Sequence, residues 1–89
     1  MATIHFTRNI QRHLDCADRS VEGATVREVL EAYFEGNDGA RGYVVDDQGA
    51  LRHHMMVFVD GEPVQDRKGL SDPVEPGSEL HVIQALSGG

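Results

Sequence analysis

Thr25-Val26-Arg27-Glu28-Val29-Leu30-Glu31-Ala32-Tyr33-Phe34-Glu35-Gly36 is the stretch on which the reading of this chain turns. Val26, Val29, Leu30, Tyr33 and Phe34 recur at helical spacing and line up as one apolar stripe. Arg27, Glu28, Glu31 and Glu35 take the opposite, solvated face. Thr25, with Glu28 three residues later, forms a capping box in which each side chain serves a backbone N–H at the helix start. Gly36 is a left-handed stop. The spacing therefore predicts one main helix over about residues 25–35. A single striped helix cannot hide its own apolar side and must bury it against another element.

The flanking segments supply that element, a sheet. Toward the N-terminus, Thr3 to Thr7 alternates, with Ile4 and Phe6 on one face and Thr3, His5 and Thr7 on the other, a half-buried first strand. Ile10 and Leu14 mark a short turn of helix or a tight loop. Val21 anchors a short second strand that ends at Gly23. Beyond the helix, residues 36–49 read as loop, with Tyr43-Val44-Val45 as a short strand or a packed loop and Asp46-Asp47-Gln48-Gly49 as a turn. Met55-Met56-Val57-Phe58-Val59 is too short and too β-branched for a helix and reads as a strand buried on both faces. A fully buried Phe58 would lose about 3–5 kcal/mol on truncation to Ala. Asp60-Gly61 is a tight hairpin turn into Pro63-Val64, and Leu70 points inward from a loop. Pro76-Gly77 is a type II turn before the last strand, Glu79 to Ala85. There Leu80 and Val82 face the core, leaving His81, Ile83 and Ala85 outward. The result is an α+β roll, a helix crossing one face of a mixed sheet.

Bulk properties narrow the function. Eighty-nine residues support one modest core and little room for a deep, water-shielded active site, which favours a carrier, subunit or binding module. The formal net charge of −7 repels phosphate backbones and anionic lipid, so neither nucleic acid nor membrane is the expected partner; a basic protein groove fits better. The single Cys16 cannot close an intramolecular disulfide, there is no membrane-length apolar run, and the N-terminus has no signal-peptide pattern. A soluble cytoplasmic protein is expected, one domain over residues 1–89 with a flexible tail at 86–89.

The chain ends Leu86-Ser87-Gly88-Gly89, after a Pro-Gly turn and a final strand. At ordinary glycine usage two terminal glycines arise by chance in roughly 0.5% of chains. With the Thr25-capped helix, Phe58-Val59-Asp60-Gly61 and Pro76-Gly77-Ser78-Glu79-Leu80, they give the whole chain a pattern that resembles the MoaD/ThiS family of ubiquitin-like sulfur carriers. That family includes the molybdopterin synthase small subunit and the thiamine-pathway carrier.

The resemblance implies a β-grasp (ubiquitin-like) fold with a mixed sheet of four to five strands. It also implies that an ATP-dependent adenylating enzyme, related to ubiquitin-activating enzymes, acts on the Gly89 carboxylate. A sulfur donor then converts it to a thiocarboxylate for an acceptor enzyme or a large synthase subunit. The chain itself would be no enzyme and would bind no cofactor, ATP being used by the partner. Gly88, Ser87 and Leu86 would thread the partner's channel, and Ile83, His81 and Ala85 would form a docking patch. The approach Val82-Ile83-Gln84-Ala85-Leu86 lacks the aromatic, proline-containing character of the molybdopterin-synthase subunits, so thiamine, cysteine and specialised-metabolite pathways stand beside the molybdenum one. Three alternatives stand beside the carrier: a ubiquitin-like modifier joined to target lysines, which begins with the same adenylation; a permanent synthase subunit whose tail inserts into a larger catalytic chain; and a β-grasp binding module with an inert tail.

Other residues point to simpler roles. Five histidines invite a metal reading, but His53 and His54 are adjacent and on a strand would face opposite ways, and no Cys or carboxylate lies at a matching spacing, so no metal site is expected anywhere in the chain. Gly36, Gly39 and Gly42 lack the P-loop pattern. Cys16 could receive sulfur, but a partly buried structural thiol is the commoner outcome.

Overall fold

Residues 1–84 are described by the structure, a computed structural model. In chain order they form β1 (Ala2–Phe6), α1 (Arg8–Gln11), β2 (Arg19–Val21), α2 (Val26–Phe34), α3 (Asp38–Val44), β3 (Met55–Val59), β4 (Glu62–Pro63) and β5 (Glu79–Gln84). The strands make one sheet in the order β2-β1-β5-β3-β4. At its centre β1 and β5, the first and last elements, run parallel, with Ile4 opposite Leu80 and Phe6 opposite Val82. All other pairs are antiparallel. Among the described residues no helix is long and apolar enough to cross a membrane.

Alternation along the strands sends one set of side chains under the helices. Ile4, Leu80, Val82, Met55 and Val57 are fully buried and meet the α2 stripe of Val26, Val29, Leu30, Tyr33 and Phe34. The capping box forms with one difference from expectation. Thr25 Oγ1 accepts from the Glu28 N–H at 3.2 Å, while Glu28 Oε1 accepts from the N–H of Ala24, one residue earlier than the cap. Gly23 must be glycine here: a Cβ would stand 2.7 Å from the Val29 backbone nitrogen. Gly36 ends the helix with φ of 78°, as its sequence position predicts.

Three expectations are corrected. Tyr43 and Val44 belong to a helix, not to a strand or loop, and Val45 caps its end. The Asn37 side chain accepts from the Ala40 N–H at 3.3 Å, and Ala40 and Val44, one turn apart, bury against the core. Gly39 and Gly42, weak helix formers, concealed that short helix from the sequence. The second correction concerns β3, which is buried on one face only. Met55 and Val57 are sealed, whereas Met56 and Phe58 are half-buried on the other side, which among the described residues no helix covers. Third, Arg27 does not simply face water. Its Nε donates to the Gly69 carbonyl at 2.9 Å and its Nη2 to the carbonyls of Gly49 and Lys68 at 2.7 and 3.1 Å. One guanidinium thus pins two loops to the start of α2.

Candidate functional site at the end of β5 and on the open sheet face

The central strand β5 carries the chain to its last described residue, and three sets of contacts fix its course. At its start, the turn Glu75-Pro76-Gly77-Ser78 closes through the Ser78 N–H to the Glu75 carbonyl at 2.9 Å, with φ of 87° at Gly77. That is the type II geometry expected from Pro-Gly. Buried Ser78 donates its hydroxyl to Asp60 Oδ2 at 2.8 Å and accepts the Glu75 N–H at 3.0 Å. Asp60 Oδ1 accepts the Glu79 N–H at 2.9 Å. The β3–β4 hairpin turn, with Asp60 and Gly61 at φ of 50° and 88°, is thereby bolted to the start of β5. These donors, the Glu79 N–H first and the Ser78 hydroxyl next, hold the Asp60 carboxyl below the usual range.

Along its length β5 is gripped on both sides by β1 and β3. At its end Gln84 Oε1 accepts from the Tyr43 hydroxyl of α3 at 2.9 Å and from Asn9 of α1 at 3.4 Å. The course of the strand up to Gln84 is therefore set by a turn, two neighbouring strands and two helices. Ala85, Leu86, Ser87, Gly88 and Gly89, the expected reactive tail, lie outside the described residues.

The open face beside β5 has an apolar and a polar half. Ile83 stands opposite Met56 on β3, and Phe58 stands opposite His81, so half-buried Met56, Phe58 and Ile83 make the apolar half. Of the expected docking residues, His81 is exposed and Ile83 half-buried, both on this face. Here β1 presents His5 directly opposite His81. The two imidazoles stack with centroids 4.7 Å apart and planes 15° from parallel. His5 Nδ1 lies 2.8 Å from Asp18 Oδ2, and Nε2 lies 2.9 Å from Glu79 Oε1. The Asp18 hydrogen bond, and Glu79 after it, raise the His5 pKa against the opposing effect of burial. The bond to His5, helped by the Phe6 N–H, lowers that of Asp18.

Sequence reasoning missed this histidine–carboxylate cluster. Its signal was Glu79-Leu80-His81, an acid and a histidine two apart on one strand face. Only the parallel β1–β5 pairing, a contact across most of the chain, brings His5 to them. Cys16, by contrast, is 2% exposed and its thiol is pushed up, chiefly by burial, making it a poor nucleophile.

Among curated protein sequences none matches this chain. Solved structures do. A chain of the Amycolatopsis orientalis BexX/CysO complex is 25% identical over the full length of both chains, with a TM-score of 0.81. SAMP1 from Haloferax volcanii is 24% identical, covering 99% of this chain and 98% of that one, with a TM-score of 0.76. CysO from Mycobacterium tuberculosis is 19% identical over 97% of this chain and 100% of its own, with a TM-score of 0.80. These likenesses match the β-grasp, ubiquitin-like architecture of a mixed sheet crossed by one main helix. The ThiS family model matches residues 8–89, nearly the whole chain, and the protein belongs to the ThiS family.

Proposed function

We propose that this protein is a sulfur carrier whose reactive group is the carboxylate of Gly89. An adenylating partner joins that carboxylate to the α-phosphorus of ATP and releases pyrophosphate. The acyl-adenylate replaces a charged, unreactive carboxylate with a carbonyl carbon bearing a good leaving group. Sulfide attack expels AMP and leaves a thiocarboxylate. Where the donor is instead a partner's persulfide, its terminal sulfur attacks the acyl-adenylate carbon and expels AMP to give an acyl disulfide, and a thiol then attacks the partner's sulfur, releasing the thiocarboxylate and leaving a disulfide between partner and thiol. The thiocarboxylate sulfur passes to an acceptor enzyme in cofactor or metabolite biosynthesis.

The observation that carries this reading is the rigid course of β5 in a ThiS-family domain. A strand held at its start, flanks and end up to Gln84 fixes the point from which the last five residues are offered to a partner that docks beside it. Glycine has no Cβ, so the last two residues fit a channel that side chains would block. The apolar half of the open face, Met56, Phe58 and Ile83, is the docking surface for that partner, and the net charge of −7 favours a basic rim on it.

Likeness to SAMP1, a small archaeal modifier protein in Methanosarcina acetivorans as in H. volcanii, supports a second reading as a protein modifier. Both readings begin with the same adenylation. Intact-mass measurement of N-terminally tagged chain recovered from its native cells separates them. Exchange of one oxygen for sulfur at the last residue is the expected result. A population found wholly in isopeptide-linked adducts of higher mass would replace the carrier reading with the modifier one.

A further inference from the structure

We propose that His5, Glu79 and His81 form a three-ligand site for a divalent d-block cation of the zinc class on the open face of the sheet. Ligand atoms of the three side chains already lie within 4.8 Å of one another. Two imidazoles and one carboxylate are a donor set that suits zinc and leaves a fourth position for water or for a side chain of a docked partner. The backbone brings them together: His5 and His81 are register partners on parallel strands, and Glu79 precedes His81 by two residues on the same face. Asp18 completes the arrangement from outside. By accepting from His5 Nδ1 at 2.8 Å it fixes the ring and leaves Nε2 to face Glu79, the carboxylate–histidine–metal relay of ordinary zinc sites.

The ion takes the place between His5 Nε2 and Glu79 Oε1 that a hydrogen bond of 2.9 Å now spans, and any proton on Nε2 leaves to solvent. Tetrahedral zinc, with bonds of about 2.0–2.1 Å, holds its ligands roughly 3.3 Å apart. The Nε2–Oε1 pair is already within that spacing. The His5 and His81 rings are stacked 15° from parallel, so His81 must rotate out of the stack to aim a ring nitrogen at the ion; its exposure and the 59% exposure of the Glu79 side chain leave room for that rotation. The site is independent of the reactivity of Gly89.

Titration of the full chain with zinc alone, followed calorimetrically, tests this. One equivalent is expected, with affinity lowered tenfold or more in H81A, E79Q and H5A, and about tenfold in D18N. H53A/H54A and a chain lacking Gly88 and Gly89 should bind as the parent does. H81A and E79Q alter exposed side chains, so far-UV circular dichroism should show both folded. Cobalt should give the intense visible bands of a tetrahedral site, lost in H81A. Unchanged affinity in folded H81A and E79Q overturns the proposal. So does loss of binding in H53A/H54A, or zinc that fails to saturate the parent chain below about 1 mM.

Discussion

Ser78 is the one buried polar residue among those described, and its hydroxyl serves two partners: it donates to Asp60 and accepts from Glu75. Replacing it by Ala strands the Glu75 N–H and frees one Asp60 oxygen. Loss of such a pair costs about 1–2 kcal/mol, and the thermal midpoint should fall by about 5–10 °C for a domain of this size. Scanning calorimetry reads it; a midpoint equal to the parent's would mean the hairpin is not held through Ser78. Asp66 is a second organiser. Its carboxylate accepts from the Gly69 N–H at 2.9 Å and from the Ser71 N–H at 3.3 Å and hydroxyl. The Ser71 hydroxyl first, and the Gly69 N–H next, depress its pKa. A depressed folded-state value means the stabilisation is present above the unfolded value of about 3.9 and lost as pH falls through the folded one. Asp66→Ala should therefore flatten the acid limb of the midpoint-against-pH curve. A variant as acid-sensitive as its parent would contradict this.

At the scale of elements, β3 separates what periodicity reveals from what it hides. Its five apolar residues read as a strand sealed on both sides, yet only Met55 and Val57 meet the helices. A sequence does not say whether a second layer covers the far face; an apolar run on an uncovered face is instead a surface available to a partner. Met55→Ala should cost about 2–5 kcal/mol, whereas Phe58→Ala, half-buried, should cost roughly 1–2 kcal/mol, less than a sealed phenylalanine. Urea unfolding of the two variants gives the order, and a larger loss at Phe58 would place the core on the wrong face. The main helix was legible to within a residue at each end because cap, stripe and terminal glycine agree on it. Helix α3 was not, because two glycines mask a pattern that only Asn37, Ala40 and Val44 carry. The His5–Glu79–His81 cluster was illegible for a different reason. It depends on pairing the first strand with the last, which no local window contains.

For the whole molecule, that same β1–β5 pairing places the final strand at the centre of the sheet. A strand at an edge can fray, but β5 is held by β1 and β3 on both sides, which fixes its course up to Gln84. On the proposed reading, the small core orients a terminus and the chemistry belongs to the enzyme that receives it. Among the described residues the buried core is built from residues up to Val82, so altering Gly89 should leave the unfolding midpoint unchanged. The decisive measurement is ATP–pyrophosphate exchange by the adenylating partner with the parent chain, with Gly89→Ala and with a chain lacking Gly89. Misplacement of the reacting group by even about 1 Å costs on the order of 100-fold, so both variants should lose at least that much while remaining folded. Exchange at the parent rate with either variant would contradict the claim that the Gly89 carboxylate is the group this protein delivers.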